Sequence, residues 1–183
     1  GGILISWERT IRFEYFAFIH SKPVHVEFLT GDFSAMALRE KANSRYQFQS
    51  GWISDYTFKN PNSKEIESIR MTLKQSDRCL SIALFDEVWG PTLPKSVVED
   101  FYRKFLKIAI GRSGYRLIIK TKKIKIINGM GIDIQALLKE VEGLGRCVVL
   151  DPSHHIYTVS RAADITVALP STAVFESILS QTR

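Results

Sequence analysis

Short apolar runs alternate with helical patterns through most of this chain, and this order limits the fold more than any other feature. Four apolar runs in the second half predict strands, at 79–85, 115–119, 146–150 and 165–169. Helical spacing of apolar residues follows the first three, at 94–109, 133–144 and 155–162. Strands separated by helices pair in parallel through right-handed crossovers. We therefore predict an α/β fold with a Rossmann-like, doubly wound, mostly parallel sheet flanked by helices.

The first half repeats the alternation on a smaller scale. Its apolar runs predict strands at 3–7, 24–29 and 45–49, with helices at 10–20 and 34–42 between them. We predict three regions: an abbreviated amino-terminal α/β lobe over 1–50, a connector over 51–77, and a Rossmann-like domain over 78–183. Because the chain stops within the helix predicted from Ser171, we expect this last domain to be truncated.

Composition excludes several classes of protein. With 183 residues, 45% of them hydrophobic and 24% charged, the chain has the composition of a globular protein and not of a disordered or fibrous one. Cys79 and Cys147 have no C-x-x-C spacing, which favours free buried thiols over a disulfide framework or a zinc site. The sequence has no apolar run of the roughly 20 residues that span a bilayer and no signal-peptide pattern. We expect a cytoplasmic location.

The basic excess is concentrated in one place. The net charge is +6, from 25 basic and 19 acidic residues, and lysines cluster at positions 120, 122, 123 and 125. No predicted helix carries a long basic face interleaved with aromatic residues, so we expect no nucleic-acid partner. The cluster favours a small anionic ligand or contact with a membrane surface, although lysines also protect exposed strand edges.

The junction at residues 164–176 reads as a buried strand that breaks at Pro170, with a helix beginning at Ser171. A helix start at the carboxyl end of a strand is a common phosphate site in open α/β sheets. Helical spacing puts Val174, Phe175, Ile178 and Leu179 on one side, to cover the sheet, and Thr172, Glu176, Ser177 and Ser180 on the other. The alternative is that Ser171 is only an N-cap and Glu176 a solvated side chain.

Polar loops follow the other predicted strands. Asp86 and Glu87 follow the first, Lys120 and Lys122 the second, and His154 lies in the loop after the third. The carboxyl ends of parallel strands share one edge, so these side chains together could hold a phosphorylated, polyhydroxylated ligand. Ordinary turn and cap roles for the two acids remain the alternative. Adjacent histidines without further ligands at metal spacing argue against a metal site.

Known catalytic fingerprints are missing from the sequence. It has no G-x-S-x-G elbow, no G-x-G-x-x-G and no G-x-x-x-x-G-K-[ST] motif. Their absence argues against a serine hydrolase, an NAD-dependent dehydrogenase and a P-loop NTPase.

Several segments carry a resemblance to a known family. They are residues 81–86, 102–106, 117–122, 162–165 and 170–176, with a further likeness at 46–55. Together they resemble the carboxyl-terminal, nucleotide-sugar-binding half of GT-B-type glycosyltransferases of bacterial surface polysaccharide synthesis. The resemblance implies that Lys120, Ser171 and Thr172 lie near the donor diphosphate and Glu176 near the ribose or sugar. Lys122, in the same lysine cluster, completes the predicted donor-binding set.

The predicted function is transfer of a sugar from a nucleotide-sugar donor to a polysaccharide or glycan acceptor, without a metal or another cofactor. Asp86, Glu87 or His154 would polarise the acceptor hydroxyl. The alternatives are a nucleotide-sugar epimerase, a glycerophosphotransferase acting on polymer chains, or a non-catalytic binding domain. Truncation leads us to expect weak self-association, as in a homodimer, or no transferase activity from the chain alone. A peripheral position at the inner membrane face is a further expectation.

Overall fold

A computed structural model describes residues 5–7, 24–29, 44–49, 62–73, 79–91, 93–171 and 173–180. The chain divides into two compact units, residues 1–59 and 60–183. In the first unit three parallel strands lie in the order β1–β2–β3, with Val26 opposite both Ile5 and Tyr46. The strands are β1 Ile5–Trp7, β2 Val24–Leu29 and β3 Ser44–Gln49. The helices predicted at 10–20 and 34–42 lie outside the described residues.

The second unit contains a four-stranded parallel sheet in the order β6–β5–β4–β7. Its strands are β4 Leu80–Phe85, β5 Tyr115–Lys120, β6 Cys147–Leu150 and β7 Ile165–Ala168. Its described helices are α1 Ser63–Thr72, α2 Lys95–Gly111, α3 Ile124–Asn128, α4 Ile132–Gly143, α5 Ile156–Ala162 and α6 Ala173–Leu179. The α/β fold with a Rossmann-like parallel sheet is confirmed.

Both faces of this sheet are covered, as a doubly wound sheet requires. Successive side chains of a strand point to opposite faces. In β4, Ile82 and Leu84 join a core with Tyr102 and Leu106 of α2. The other face of β4 presents Ala83 and Phe85 to a second core. This core also contains Ile69 of α1, Leu73 at the C-cap of α1, and Val159 and Ala162 of α5.

Helix α1 lies within the predicted connector 51–77, and it packs against α5. Its Ile69 and Leu73 are almost fully buried. The Arg70 guanidinium donates from Nη2 to the carbonyl oxygen of Arg161 at 2.8 Å. This part of the predicted connector therefore contributes to the core of the second unit.

Two local expectations about the helices need correction. The helix predicted over 133–144 begins at Ile132, and the N-cap of α4 is Gly131, whose N–H donates to Glu99 Oε1 at 2.7 Å. Asp133 forms an ion pair with Arg103 at 2.8 Å. Helix α3 was not predicted, because five residues are too few to show a helical period; it buries Ile126 and Ile127.

The expected orientation of α6 was wrong for the residues whose side chains are described. Glu176, Ser177 and Ser180 are buried, whereas Val174 is 39% and Ile178 64% exposed. Helix α6 packs against α5 and the edge strand β7, and Ser177 Oγ lies 3.2 Å from Ser160 Oγ of α5. The polar side faces inward because α5 offers hydrogen-bond partners there.

The strand order reverses at one place in the sheet. From β4 the chain moves outward to β5 and β6, and then returns across the sheet to place β7 on the other side of β4. Crevices that bind ligands form outside the carboxyl ends of the strands where the order reverses. In this protein that place is the carboxyl-terminal edge between β4 and β7.

Candidate functional site

The sheet register brings the predicted polar loops to one edge. Phe85, the last residue of β4, pairs with Lys120 on one side and Ala168 on the other. An open cleft lies at this edge. Its lining residues are Phe85, Asp86, Glu87, Lys120, Lys122, Ile156, Ser171 and Ala173. Five of the eight predicted site residues therefore lie together.

Asp86 connects three elements beneath the cleft. It is 5% exposed, and its Oδ2 accepts a 2.8 Å hydrogen bond from the Tyr102 hydroxyl of α2. Its Oδ1 accepts one of 2.7 Å from the backbone N–H of Lys122. Burial raises the pKa of the Asp86 carboxyl, although these hydrogen bonds oppose the rise. Because both of its carboxylate oxygens accept hydrogen bonds, Asp86 holds the loop that carries Lys122 against the end of β4.

Glu87 and Lys122 form an ion pair across the cleft. Lys122 Nζ lies 2.5 Å from Glu87 Oε1, and the same oxygen accepts a 2.8 Å hydrogen bond from the N–H of Val88. The Lys122 side chain is 52% exposed and that of Glu87 15%. A half-exposed lysine can leave such a pair at small cost.

Lys120 lies deeper than Lys122, at the end of β5. Its Nζ donates to the carbonyl oxygen of Pro152 at 3.2 Å. Burial lowers the pKa of Lys120, while the charges of Asp86, Glu176 and Asp151 oppose the fall. A half-buried cation of this kind is stabilised by an anionic ligand, because the ligand replaces hydration that the lysine has lost.

Glu176 is a buried side chain near Lys120, and its predicted role near the ribose or sugar of a donor stays a prediction. It is 9% exposed, so it is not a solvated side chain, and it is not among the residues that line the cleft. Its Oε2 is buried without a hydrogen-bond partner. Burial raises the pKa of Glu176, and the positive charge of Lys120 opposes that rise. Glu176 therefore lies close enough to Lys120 for the charge of each residue to affect the pKa of the other.

Ser171 lines the cleft and also serves as a helix cap. Its Oγ accepts a 3.3 Å hydrogen bond from the N–H of Ala173, at the start of α6. This contact with the first residue of the helix is similar to the capping alternative considered for Ser171. Thr172 lies outside the described residues. Because α6 has only seven residues, the lysines rather than the helix end are the main positive groups of the cleft.

The two adjacent histidines, His154 and His155, have different neighbours. His154 is absent from the cleft lining, and its Nδ1 lies 2.6 Å from Glu65 Oε1 on α1. His155 stacks on the ring of Tyr157 and precedes Ile156, which lines the cleft. Burial and then the charge of Lys120 lower the pKa of His155, while Glu65 raises it.

Of the two adjacent histidines only His154 was predicted to belong to the site, because the helix was expected to begin at His155. The helix begins one residue later, at Ile156, and His155 is its N-cap. Tyr102 was also overlooked, because it lies within the apolar stripe of α2. A buried tyrosine hydroxyl needs a partner, and the acid at the end of the neighbouring strand supplies it.

The described residues contain no group of three or more His, Cys, Asp or Glu side chains arranged to hold a metal ion. Across the same part of the chain, no helix has the length and apolar character needed to cross a membrane.

Among solved structures, this fold resembles that of a wall teichoic acid polymerase. The match to TagF has a TM-score of 0.56 and covers 87% of this chain at 11% sequence identity. No protein-family model matches the sequence, and no match to a curated protein was found.

The likeness to TagF concerns the fold. At 11% identity it establishes a shared parallel α/β architecture, in agreement with the strand order and helix positions described above. This chain spans 38% of the length of the TagF chain.

Proposed function

We propose that this chain is the nucleotide-binding part of a GT-B-type transferase that moves a polyol phosphate, such as glycerol phosphate, onto a cell-wall polymer. The observation that carries the proposal is the cleft at the reversal point of the sheet, where Lys120 and Lys122 lie at the carboxyl ends of parallel strands. Two lysines suit a diphosphate, whose charge they neutralise.

The likeness to a wall teichoic acid polymerase supports phosphate transfer over the sugar transfer predicted from the sequence. Teichoic acids are polymers of polyol phosphates, so their elongation needs a donor that carries an activated polyol phosphate. A nucleoside diphosphate-linked donor such as CDP-glycerol has this chemistry. Both the sugar and the glycerol readings need a nucleotide-linked diphosphate donor, and they differ in the group transferred.

The reaction proposed is a displacement at phosphorus. An acceptor hydroxyl of the polymer attacks the phosphorus that carries glycerol, a new P–O bond forms, and the P–O bond to the bridging oxygen breaks. The nucleoside monophosphate leaves, and a base takes the hydroxyl proton. Lys120 and Lys122 stabilise the charge that develops on the phosphate oxygens.

Glu87 is the candidate base that fits the cleft best. Of the three acids and bases predicted from the sequence, Asp86 has both oxygens occupied and His154 is absent from the cleft lining. Glu87 lines the cleft and keeps part of its carboxylate exposed. A carboxylate in this place can accept the acceptor's proton when the hydroxyl approaches to hydrogen-bond distance.

A ligand panel tests the proposal. CDP-glycerol, CDP-ribitol, UDP-glucose, GDP-mannose and CMP are added to the protein, and thermal stability and calorimetric affinity are measured. We expect CDP-glycerol to stabilise the fold most, by about 2.7 kcal/mol at 100 times its dissociation constant. Preference for a UDP- or GDP-sugar would restore the glycosyltransferase reading. No stabilisation by any compound would favour a non-catalytic binding domain.

A matched pair of lysine variants locates the site. Lys120→Met removes the charge in the cleft, and Lys123→Met removes the same charge from an exposed position in the same loop. We expect Lys120→Met to weaken CDP-glycerol binding about tenfold or more, as for the loss of a charge-assisted hydrogen bond. Lys123→Met should bind as the unchanged protein does. Equal effects would place the donor elsewhere.

A further inference from the structure

The two cleft lysines differ in what their amino groups contact. Lys120 Nζ donates to a backbone carbonyl, that of Pro152. Lys122 Nζ contacts a carboxylate, Glu87 Oε1, at 2.5 Å. Only the second contact joins opposite charges, and both of its residues line the cleft. An anion that enters the cleft therefore has to compete with the Glu87 carboxylate for the amino group of Lys122.

The main chain of Lys122 is fixed while its side chain can move. Asp86 Oδ1 accepts a hydrogen bond from the Lys122 N–H, and Asp86 is itself held by the Tyr102 hydroxyl. The Lys122 amino group lies at the end of a flexible four-carbon chain and is half-exposed. It can turn from one anion to another without any change in the loop.

Glu87 is the more firmly held partner. Its Oε1 also accepts a hydrogen bond from the N–H of Val88, and the side chain is 15% exposed. When Lys122 turns away, the carboxylate keeps this backbone contact. Glu87 therefore acts as a stationary anion that a ligand has to replace.

We infer that Glu87 is a built-in competitor for the donor phosphate, and that its ion pair with Lys122 sets how strongly the cleft binds anions. The inference rests on the proposed function for the identity of the anion. The binding free energy that a ligand gains from Lys122 is only the amount by which its own attraction to the amino group exceeds that of the Glu87 carboxylate. A diphosphate, with two charged groups, overcomes the competitor more readily than a singly charged anion does.

Because of this competition, we expect that removing the charge of Glu87 tightens the binding of anions in the cleft. Glu87→Gln keeps the shape of the side chain and removes its charge, so Lys122 becomes available to the ligand. An exposed ion pair contributes little, which corresponds to about two- to fivefold tighter binding once it is removed. Simple removal of a nearby negative charge would also tighten binding, so the single variant is not enough.

A double-mutant cycle separates the two explanations. Binding of inorganic pyrophosphate, which has no nucleoside, is measured by calorimetry for the unchanged protein, Glu87→Gln, Lys122→Met and the double variant. We expect Glu87→Gln to tighten binding about two- to fivefold when Lys122 is present. In the Lys122→Met background it should change affinity by less than about 1.5-fold, because no pair remains to be broken. Glu140→Gln, exposed on α4, is the matched control and should have no effect.

Three results would overturn the inference: equal tightening in both backgrounds, no tightening in either, or no pyrophosphate binding by any of the four proteins. Glu87→Ala, expected to tighten binding in the same direction, guards against misfolding of the first variant, and circular dichroism checks each fold. Failure of the proposed function is recognised separately. In that case no nucleotide stabilises the protein while the pyrophosphate cycle still shows coupling between Glu87 and Lys122.

Discussion

Helices α2 and α6 both follow strands of the same sheet, yet they bury opposite kinds of side chain. In α2 the buried residues are Val98, Tyr102, Leu106 and Ala109, as the apolar spacing predicts. In α6 and the turn after it, Ala173, Glu176, Ser177 and Ser180 are buried, while Val174 and Ile178 are exposed. Apolar spacing therefore predicts the buried side of α2 correctly and is wrong for the described side chains of α6.

Length and surroundings explain the difference. Helix α2 has 17 residues and packs against β5 and α4 within a large apolar core. Turning its apolar stripe outward would expose several large side chains, each worth about 1.5–3 kcal/mol. Helix α6 has seven residues and lies against α5 and the edge strand β7. Among its described side chains, the polar contact of Ser177 with Ser160 of α5 matches the side that faces inward.

The largest expected effect compares one apolar residue from each helix. Leu106→Ala in α2 should lower the free energy of unfolding by about 2–5 kcal/mol, because Leu106 is fully buried. Ile178→Ala in α6 should change it by less than about 0.5 kcal/mol, because Ile178 is 64% exposed. Urea unfolding measures both. Similar losses would show that α6 buries its apolar side after all.

The next largest change in stability is expected at Tyr102, the buried residue of α2 whose side chain carries a polar group. Tyr102→Phe should cost about 1–3 kcal/mol, because Asp86 Oδ2 loses its hydrogen-bond donor and stays buried. Burial already raises the pKa of Asp86 above its ordinary value of 3.8, and loss of this bond raises it further. Because the hydroxyl stabilises the charged form of the carboxyl, the stability lost should be greater at pH 7 than at pH 4. An equal loss at both values would mean that the hydroxyl does not stabilise the carboxylate.

A smaller loss is expected from the polar side of α6. Ser177→Ala removes the contact with Ser160 of α5 and should cost about 0.5–1.5 kcal/mol. Val174→Ala, one turn earlier and 39% exposed, should cost less than Ser177→Ala does. The reverse order, measured by chemical denaturation of the two variants, would contradict the orientation of the helix.

The smallest effect is a change in pH dependence. Burial raises the pKa of Glu176 above its ordinary value of 4.5, so the folded state holds this proton more tightly than the unfolded state. Its contribution to stability is full below pH 4.5 and is lost as the pH rises through the folded pKa. Glu176→Gln should flatten this part of the stability curve, whereas Glu140→Gln on α4 should not. Identical curves for Glu176→Gln and the unchanged protein would exclude a buried, charged Glu176.

Much of the cleft could be predicted because it depends on strand direction. Asp86, Glu87, Lys120, Lys122 and Ser171 each follow a strand, and parallel pairing brings the strand ends to one edge. His154 was selected by the same reasoning, but its loop directs it to Glu65 of α1. The end of a strand determines where the following loop lies, but it does not determine which side chain of that loop turns inward.

Local sequence by itself determined the order of strands and helices in the second unit, their parallel pairing and the edge at which the polar loops meet. These properties follow from side-chain periods of 2 and 3.6 residues and from breaks such as Pro94, which act over a few residues. Only the tertiary structure decided the Asp86–Tyr102 bond, the Glu87–Lys122 pair and the inward side of α6. Each of these depends on which elements meet in space, because desolvation and hydrogen bonding act between residues that the chain separates by 16 or 35 positions.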